Sequence, residues 1–230
     1  MRICIYQMKD RGSVEGNIRA ACKTIPKVRA DFLCLPEFFA LPADYIKMPV
    51  ERVYEKSKHT LDEIVRASRE FSGYIIAGTV IERDDAFYNT CYVLRKGEII
   101  AKYRKINITE EERLIGISPG EETVVFDTEF CRIGLLICAD CLSSKVVKSV
   151  ANRSDVVFLP ISLTSPSHPK VEGHPVSERI AREYGVTVVK ISRIGLFNGV
   201  KFGVKSAAIA PDGVVVEAGG AEEEIIYVDL

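Results

Sequence analysis

Ile133-Gly134-Leu135-Leu136-Ile137-Cys138-Ala139-Asp140 is the stretch on which the fold of this chain turns. Its first five residues are apolar or glycine and read as a strand buried on both faces, with a cysteine and a carboxylate directly after it. Two other buried-strand patterns end in the same way. Phe32-Leu33-Cys34-Leu35 is closed by Pro36 and followed at once by Glu37, and Glu98–Tyr103 runs into Arg104-Lys105. Strand ends are where α/β proteins gather reactive groups, because the sheet holds the backbone while the following loop gives access. Taken singly, each residue also has an ordinary explanation. Glu37 suits a solvent-facing strand exit, Lys105 a surface position, and Cys138 the continuation of a buried strand.

Outward from these strands, short apolar runs alternate with helical patterns. Arg2–Tyr6 reads as a strand, and Val14, Ile18, Ala21, Cys22 and Ile25 share one helical face. A second helix is predicted from about Val53 to Ser72, with Leu61, Ile64, Val65, Ser68 and Phe71 inward, and Tyr74–Ile81 is the next strand. Thr90–Arg95 and Glu98–Tyr103 flank Lys96-Gly97 as an antiparallel hairpin. Val124–Phe126, Arg132–Ile137 and Asp155–Leu159 continue the strand signal, and Ser144 is placed to cap a helix carrying Val146, Val147, Val150 and Ala151. Pro175 opens a helix with Val176, Ile180, Ala181 and Tyr184 on one side, and Gly185 ends it. Val186–Ile191, Lys205–Ala210, Val214–Glu217 and Ile225–Val228 complete the strands, the last at a sheet edge. About ten to twelve strands exceed what one open sheet holds. Crossovers mix with hairpins, so the expectation is two mixed sheets, each covered outside by helices.

Composition narrows the function. With 230 residues and 25.6 kDa, the folded surface should be roughly 10,000 Å² against about 37,000 Å² unfolded, enough burial for a single domain over residues 1–230. Thirty-one basic and 32 acidic residues leave a net charge of −1, which argues against a nucleic-acid footprint or a polybasic membrane patch. No apolar run approaches the roughly 20 residues of a membrane helix. Seven cysteines is an odd number, and Cys4, Cys34, Cys91 and Cys131 lie in apolar segments. They read as core residues of a reducing compartment, and cytoplasm is the expected location. A single glutamine, no tryptophan and abundant Lys, Arg and Glu lean towards a thermophilic source. His59, His168 and His174 lack the spacing of a structural zinc motif, so no metal site is expected. No Gly-x-Ser-x-Gly or Gly-x-Gly-x-x-Gly follows a predicted strand, which disfavours serine hydrolases and dinucleotide enzymes.

In order along the chain come Gln7, then Ala30-Asp31-Phe32-Leu33-Cys34-Leu35-Pro36-Glu37, Tyr88-Asn89-Thr90 and Tyr103-Arg104-Lys105-Ile106-Asn107-Ile108. The cysteine stretch follows, then Ser154–Pro160, Glu178–Tyr184, Ser206 and Ala210-Pro211-Asp212-Gly213. In this order the chain resembles the carbon–nitrogen hydrolases of the nitrilase superfamily over nearly its whole length. The resemblance implies a four-layer α-β-β-α sandwich of two mixed sheets and a Glu37, Lys105, Cys138 triad. Cys138 would attack a carbonyl or nitrile carbon, Glu37 would shuttle protons, and Lys105 with the Ala139 N–H would hold the oxyanion. A lysine beside Cys138 is also expected to favour the thiolate. The family often carries a second glutamate after the lysine; among Glu110, Glu111 and Glu112 the last fits best, although the triplet also reads as a solvated helix start. Asp140 is expected to accept backbone N–H bonds that hold the turn.

The sequence also departs from the family pattern. Ala139 stands where an aromatic residue is common, Cys141-Leu142-Ser143-Ser144 replaces a segment ending in Phe-Pro-Glu, Phe38–Pro42 lacks glycine, and Ser192 precedes Arg193 in place of asparagine. The expected function is hydrolysis of a small non-peptide amide or ureido compound through a cysteine thioester, with no cofactor. Phe39, Tyr45, residues 162–172 and Asn198 are the expected pocket wall. Helices at 144–152 and 176–184 are the expected subunit interface of a homodimer or larger assembly, with Val147, Val150, Ile180 and Tyr184 partly exposed. Two rivals stand beside this reading: a catalytically silent homologue kept as an assembly or regulatory subunit, and a thiol–disulfide protein using Cys138-Ala139-Asp140-Cys141.

Overall fold

Alternation along β1 (Arg2–Lys9) sorts the molecule into layers. Ile3 and Ile5 enter one core and Cys4, Tyr6 and Met8 the other, as the two-residue period of a strand requires. The computed structural model describes all residues except 46, 47, 164–172, 198, 199, 203 and 221. After β1 come α1 (Val14–Thr24), β2 (Phe32–Cys34), α2 (Val50–Ser57), α3 (Thr60–Ser68), β3 (Tyr74–Ile76) and β4 (Val80–Arg83). The hairpin strands are β5 (Phe87–Arg95) and β6 (Glu98–Arg104), followed by α4 (Glu110–Ile115), β7 (Ile117–Ser118), β8 (Val125–Asp127) and β9 (Arg132–Leu135). Then come α5 (Ser144–Ala151), β10 (Val156–Pro160), α6 (Pro175–Tyr184), β11 (Thr187–Ile191) and β12 (Arg193–Ile194). The chain ends in β13 (Leu196–Phe197), β14 (Val200–Lys201), β15 (Ala207–Ala210), β16 (Gly213–Glu217) and β17 (Glu224–Asp229).

The first sheet runs β12-β1-β2-β3-β5-β4, with β17 also on β1 and β6 and β7 also on β5. The second runs β16-β15-β11-β10-β9-β8. Both mix parallel and antiparallel pairs. Helices α1 and α3 pack together, and α3 lies on β5 and β6; α5 covers β9 and β10, and α6 covers β11 and β15. The layers are therefore helix, sheet, sheet, helix. Parallel β9, β10 and β11 are buried along nearly their whole length, which is why they read as unbroken apolar runs.

Three predicted elements differ. The helix expected over 53–72 is two, α2 and α3, separated at Lys58 and His59, with the Ser57 hydroxyl bonding back to the Val53 carbonyl at 2.8 Å in the last turn of α2. The strand expected over 74–81 is interrupted between β3 and β4 at Gly78. There φ is +55° and a Cβ would stand 2.0 Å from the Pro36 carbonyl oxygen, so only glycine lets the chain after β2 pass. Ser143, not Ser144, is the cap position of α5, and its side chain makes no capping bond.

The proposed interface residues also sit elsewhere. Val147, Val150 and Ile180 are 2%, 0% and 1% exposed, because they are the sheet-facing stripe of α5 and α6. Lys145, Lys148, Arg179, Arg182 and Glu183 face outward, and Tyr184 is half-buried. Among the described residues no helix is long and apolar enough to cross a membrane.

Candidate active site

The two sheets meet where three chain segments leave their strands. Past β9 the backbone enters a 3-10 turn over Cys138–Leu142, and Cys138 itself takes φ +44°. A non-glycine residue in that region costs about 1–3 kcal/mol unless its surroundings hold it. Asp140 does the holding. Its Oδ2 accepts the Ile137 N–H at 2.9 Å and the Tyr103 hydroxyl at 2.7 Å, and its Oδ1 accepts the Asn107 N–H at 2.7 Å. The Asn107 side chain adds a bond to the Ala139 carbonyl at 2.6 Å. Ala139 lies in the first turn of the 3-10 segment, where an N–H has no partner within the helix.

Glu37 follows β2. The next residue, Phe38, takes φ +50°, and its N–H donates to Thr79 Oγ1 at 2.9 Å, across the gap that Gly78 opens. Arg193, 1% exposed, donates to the carbonyls of Phe38 at 3.1 Å and Leu41 at 2.6 Å. Its charge is partnered by Asp10 Oδ2 at 3.4 Å. Lys105 follows β6 and is pinned by its own backbone. Its N–H donates to the Asn89 carbonyl at 2.9 Å, and its carbonyl accepts from the Gly120 N–H at 2.7 Å. Gly120 ends Gly116-Ile117-Ser118-Pro119-Gly120, a Gly-x-Ser-x-Gly that leaves helix α4 rather than a strand.

These supports bring the charges together. Lys105 Nζ donates to Glu37 Oε1 at 3.0 Å and Glu112 Oε2 at 2.8 Å, and all three side chains are at most 3% exposed. Glu110 and Glu111 are exposed, whereas Glu112 turns inward as the third residue of α4. It closes a capping box with Thr109, whose N–H donates to Glu112 Oε2 at 2.8 Å and whose Oγ1 accepts from the Glu112 N–H at 3.2 Å. The Ser162 N–H donates to Glu37 Oε2 at 2.9 Å.

Burial raises the Glu37 carboxyl above the ordinary range, with Lys105 opposing and Glu112 adding. Burial alone would lower the Lys105 ammonium, but Glu37, Cys138 and Glu112 together hold it well above its usual value. The Cys138 thiol, 4% exposed, is pushed well up by burial and then by Glu37, with Lys105 opposing. Lys105 pulls towards the thiolate, as expected, while removal from water and the nearby carboxylate push towards the thiol.

The remaining candidates separate. Tyr45 is buried with its ring 4.6 Å from that of Phe38, and burial together with Glu37 and Glu112 raises its hydroxyl well above the usual phenol value. Phe39 belongs to the core on the helix side of the first sheet, whereas Cys138 belongs to the other core. Asn198, His168 and residues 164–172 lie outside the described residues. His59 is exposed, and His174 pairs with Glu217 at 2.5 Å. Among the described residues no group of three His, Cys, Asp or Glu side chains could hold a metal ion. Cys138 and Cys141 are both free thiols, and Cys141, 1% exposed, is raised to about 12 by burial. Cys131 and Cys22 are only partly buried.

Sequence reasoning gave no role to Asn89, whose side-chain nitrogen donates to Glu37 Oε1 at 2.9 Å and Glu112 Oε1 at 2.7 Å. A signal was present in the hairpin register, which pairs Thr90 with Arg104 and so sets Asn89 opposite Lys105.

Fold and site together define a carbon–nitrogen hydrolase of the nitrilase superfamily. The carbon–nitrogen hydrolase family model matches residues 3–230, and the chain belongs to that family. It is 30% identical over 249 residues to human omega-amidase NIT2, covering 100% of this chain and 88% of that protein. It is also 30% identical over 211 residues to a nitrilase of Pyrococcus abyssi, covering 88% of this chain and 78% of that one. An amidase from Nesterenkonia sp. AN1, solved with acrylamide added to its active-site cysteine, shares the fold. It superposes with a TM-score of 0.89 at 21% identity, over 100% of this chain and 93% of that one.

Proposed function

We propose that this chain hydrolyses a small, non-peptide amide through a thioester on Cys138. The observation that carries the reading is the buried Glu37, Lys105, Glu112 cluster, whose charges act on the Cys138 thiol. As Cys138 Sγ attacks the carbonyl carbon, its proton passes to Glu37. The pair of electrons released from the carbonyl resides on an oxyanion held by Lys105 and the Ala139 N–H. Glu37 then protonates the nitrogen, the carbon–nitrogen bond breaks, and ammonia or an amine leaves. Water attacks the thioester while Glu37 takes its proton, and the acid departs as Cys138 regains its hydrogen. A thiol raised by burial and by Glu37 suits this sequence, because its proton passes to Glu37 as Sγ attacks the substrate carbon. Asp140 holds the turn that presents Cys138 and Ala139, and Glu112 holds Lys105.

Amides are preferred over nitriles and ureido compounds because relatives matching the whole chain are named omega-amidases. Residues 1–230 act as one domain. A homodimer or larger assembly rests on the family resemblance alone, since the outer faces of α5 and α6 are polar, and composition supports a cytoplasmic, thermophilic setting. Ammonia release should be measured on a panel of ω-amides, simple amides, ureido compounds and nitriles, with Cys138→Ala as control. Turnover of an amide that vanishes in the control is the expected result. A folded wild-type protein that releases ammonia from none of them supports the silent-subunit reading instead.

A further inference from the structure

Asn89 touches all three charged residues of the site. Its backbone carbonyl accepts the Lys105 N–H at 2.9 Å, and its two side-chain hydrogens go to Glu37 Oε1 at 2.9 Å and Glu112 Oε1 at 2.7 Å. It is fully buried on β5, and among the described residues its Oδ1 has no hydrogen-bond partner. An amide placed only for stability would be satisfied at both ends. This one turns its nitrogen to two carboxylates; the flipped amide would turn an acceptor towards them.

Counting lone pairs shows the consequence. Glu37 Oε1 receives Lys105 and Asn89, which fills it, while among the described residues Oε2 receives only the Ser162 N–H. A carboxylate oxygen accepts two such bonds, so among the described residues Oε2 keeps one free position. We propose that Asn89 is a positioning residue that fills Glu37 Oε1, directs the thiol and substrate protons to Oε2, and favours the ionised Glu37 beside a second carboxylate. This rests on the hydrolase reading above. The groups acting on Glu37 are Lys105 by contact and, through space, the charge of Glu112, Tyr45, Cys138 and the Arg193 guanidinium. Asn89 adds one neutral donor to that set, and a second to Glu112, without adding charge.

Asn89→Ala and Asn89→Ser test the proposal on the full chain, with kcat and KM measured against pH on an amide turned over by the wild type. Loss of a donor to the carboxylate raises its pKa, so the acid limb of kcat/KM should move up by about half a unit or more. The same variants should lose about tenfold or more in kcat with KM changed by less than about threefold. Folded variants whose acid limb superposes on the wild type overturn the proposal, whatever their rate. If neither variant folds, asparagine-selective ¹⁵N labelling of the unaltered protein decides. Both Asn89 side-chain protons should shift as Glu37 titrates, and an unresponsive pair overturns the assignment. Failure of the hydrolase reading is separate: it is a wild-type protein with no amide turnover, for which the Asn89 titration is still measurable.

Discussion

The Tyr103 hydroxyl, at the end of the first sheet's β6, donates to Asp140 Oδ2 at 2.7 Å, in the turn that leaves the second sheet. One bond therefore ties the strand that carries Lys105 to the turn that carries Cys138. Tyr103→Phe keeps the ring in the core and leaves Asp140 with its two backbone donors. The expected loss is about 1–2 kcal/mol of stability, or a few degrees in Tm. A shifted Cys138 should also lower kcat/KM by about tenfold or more. Thermal melts and steady-state rates on the same samples check this, and an unchanged rate would separate Tyr103 from the site.

Lys105 is the cation shared by two carboxylates that are almost fully buried. Lys105→Met leaves both without it, and the expected cost is about 3–5 kcal/mol. Adding Glu37→Gln and Glu112→Gln to the same chain removes the uncompensated charge and should recover most of that loss. Urea denaturation of the single and triple variants reads the difference, and a triple variant no more stable than the single one contradicts it.

In the proposed mechanism activity depends on an ionised Glu37, and burial raises its pKa. The acid limb of kcat/KM should accordingly lie above the ordinary carboxylate range, with activity falling as pH drops through it. Glu112 adds to that rise, so Glu112→Gln should move the limb to lower pH by up to about one unit even as turnover falls. A limb that moves upward in that variant would show that Glu112 acts on Glu37 in some other way.

Lys190, on β11 and 1% exposed, has its nitrogen against the Gly173 carbonyl, and burial lowers its pKa from 10.5 to about 8. Below about 8 both folded and unfolded chains hold the proton, and the folded state carries the full cost of the buried charge, about 3 kcal/mol. That cost is relieved as pH rises from about 8 to 10.5, where only the unfolded chain stays protonated. Lys190→Met should therefore stabilise the protein near pH 7, by less than the full cost because the Gly173 bond goes too. The gain should disappear by about pH 10. Denaturation curves at both pH values check the sign.

The parallel strands and their exits were readable because burial on both faces forces an unbroken apolar run, and Phe32–Leu35 and Ile133–Ile137 show that run directly. Breaks were harder to see. Gly78 interrupts an element through a partner elsewhere, the Pro36 carbonyl, which the local pattern does not show. Surface and core on α5 and α6 were misassigned for a related reason. An apolar stripe looks the same whether it meets a sheet of its own chain or a second subunit.

Glu37, Lys105 and Cys138 could be named from their places after strands and from the family pattern that orders them. That they share a dry site with Glu112, that Asn89 bridges the two carboxylates, and that burial and Glu37 raise the Cys138 thiol against the pull of Lys105 were decided only when the sheets closed on one another. Residue type and local period are carried by the chain itself, whereas protonation and hydrogen-bond direction depend on which distant groups replace water around each atom.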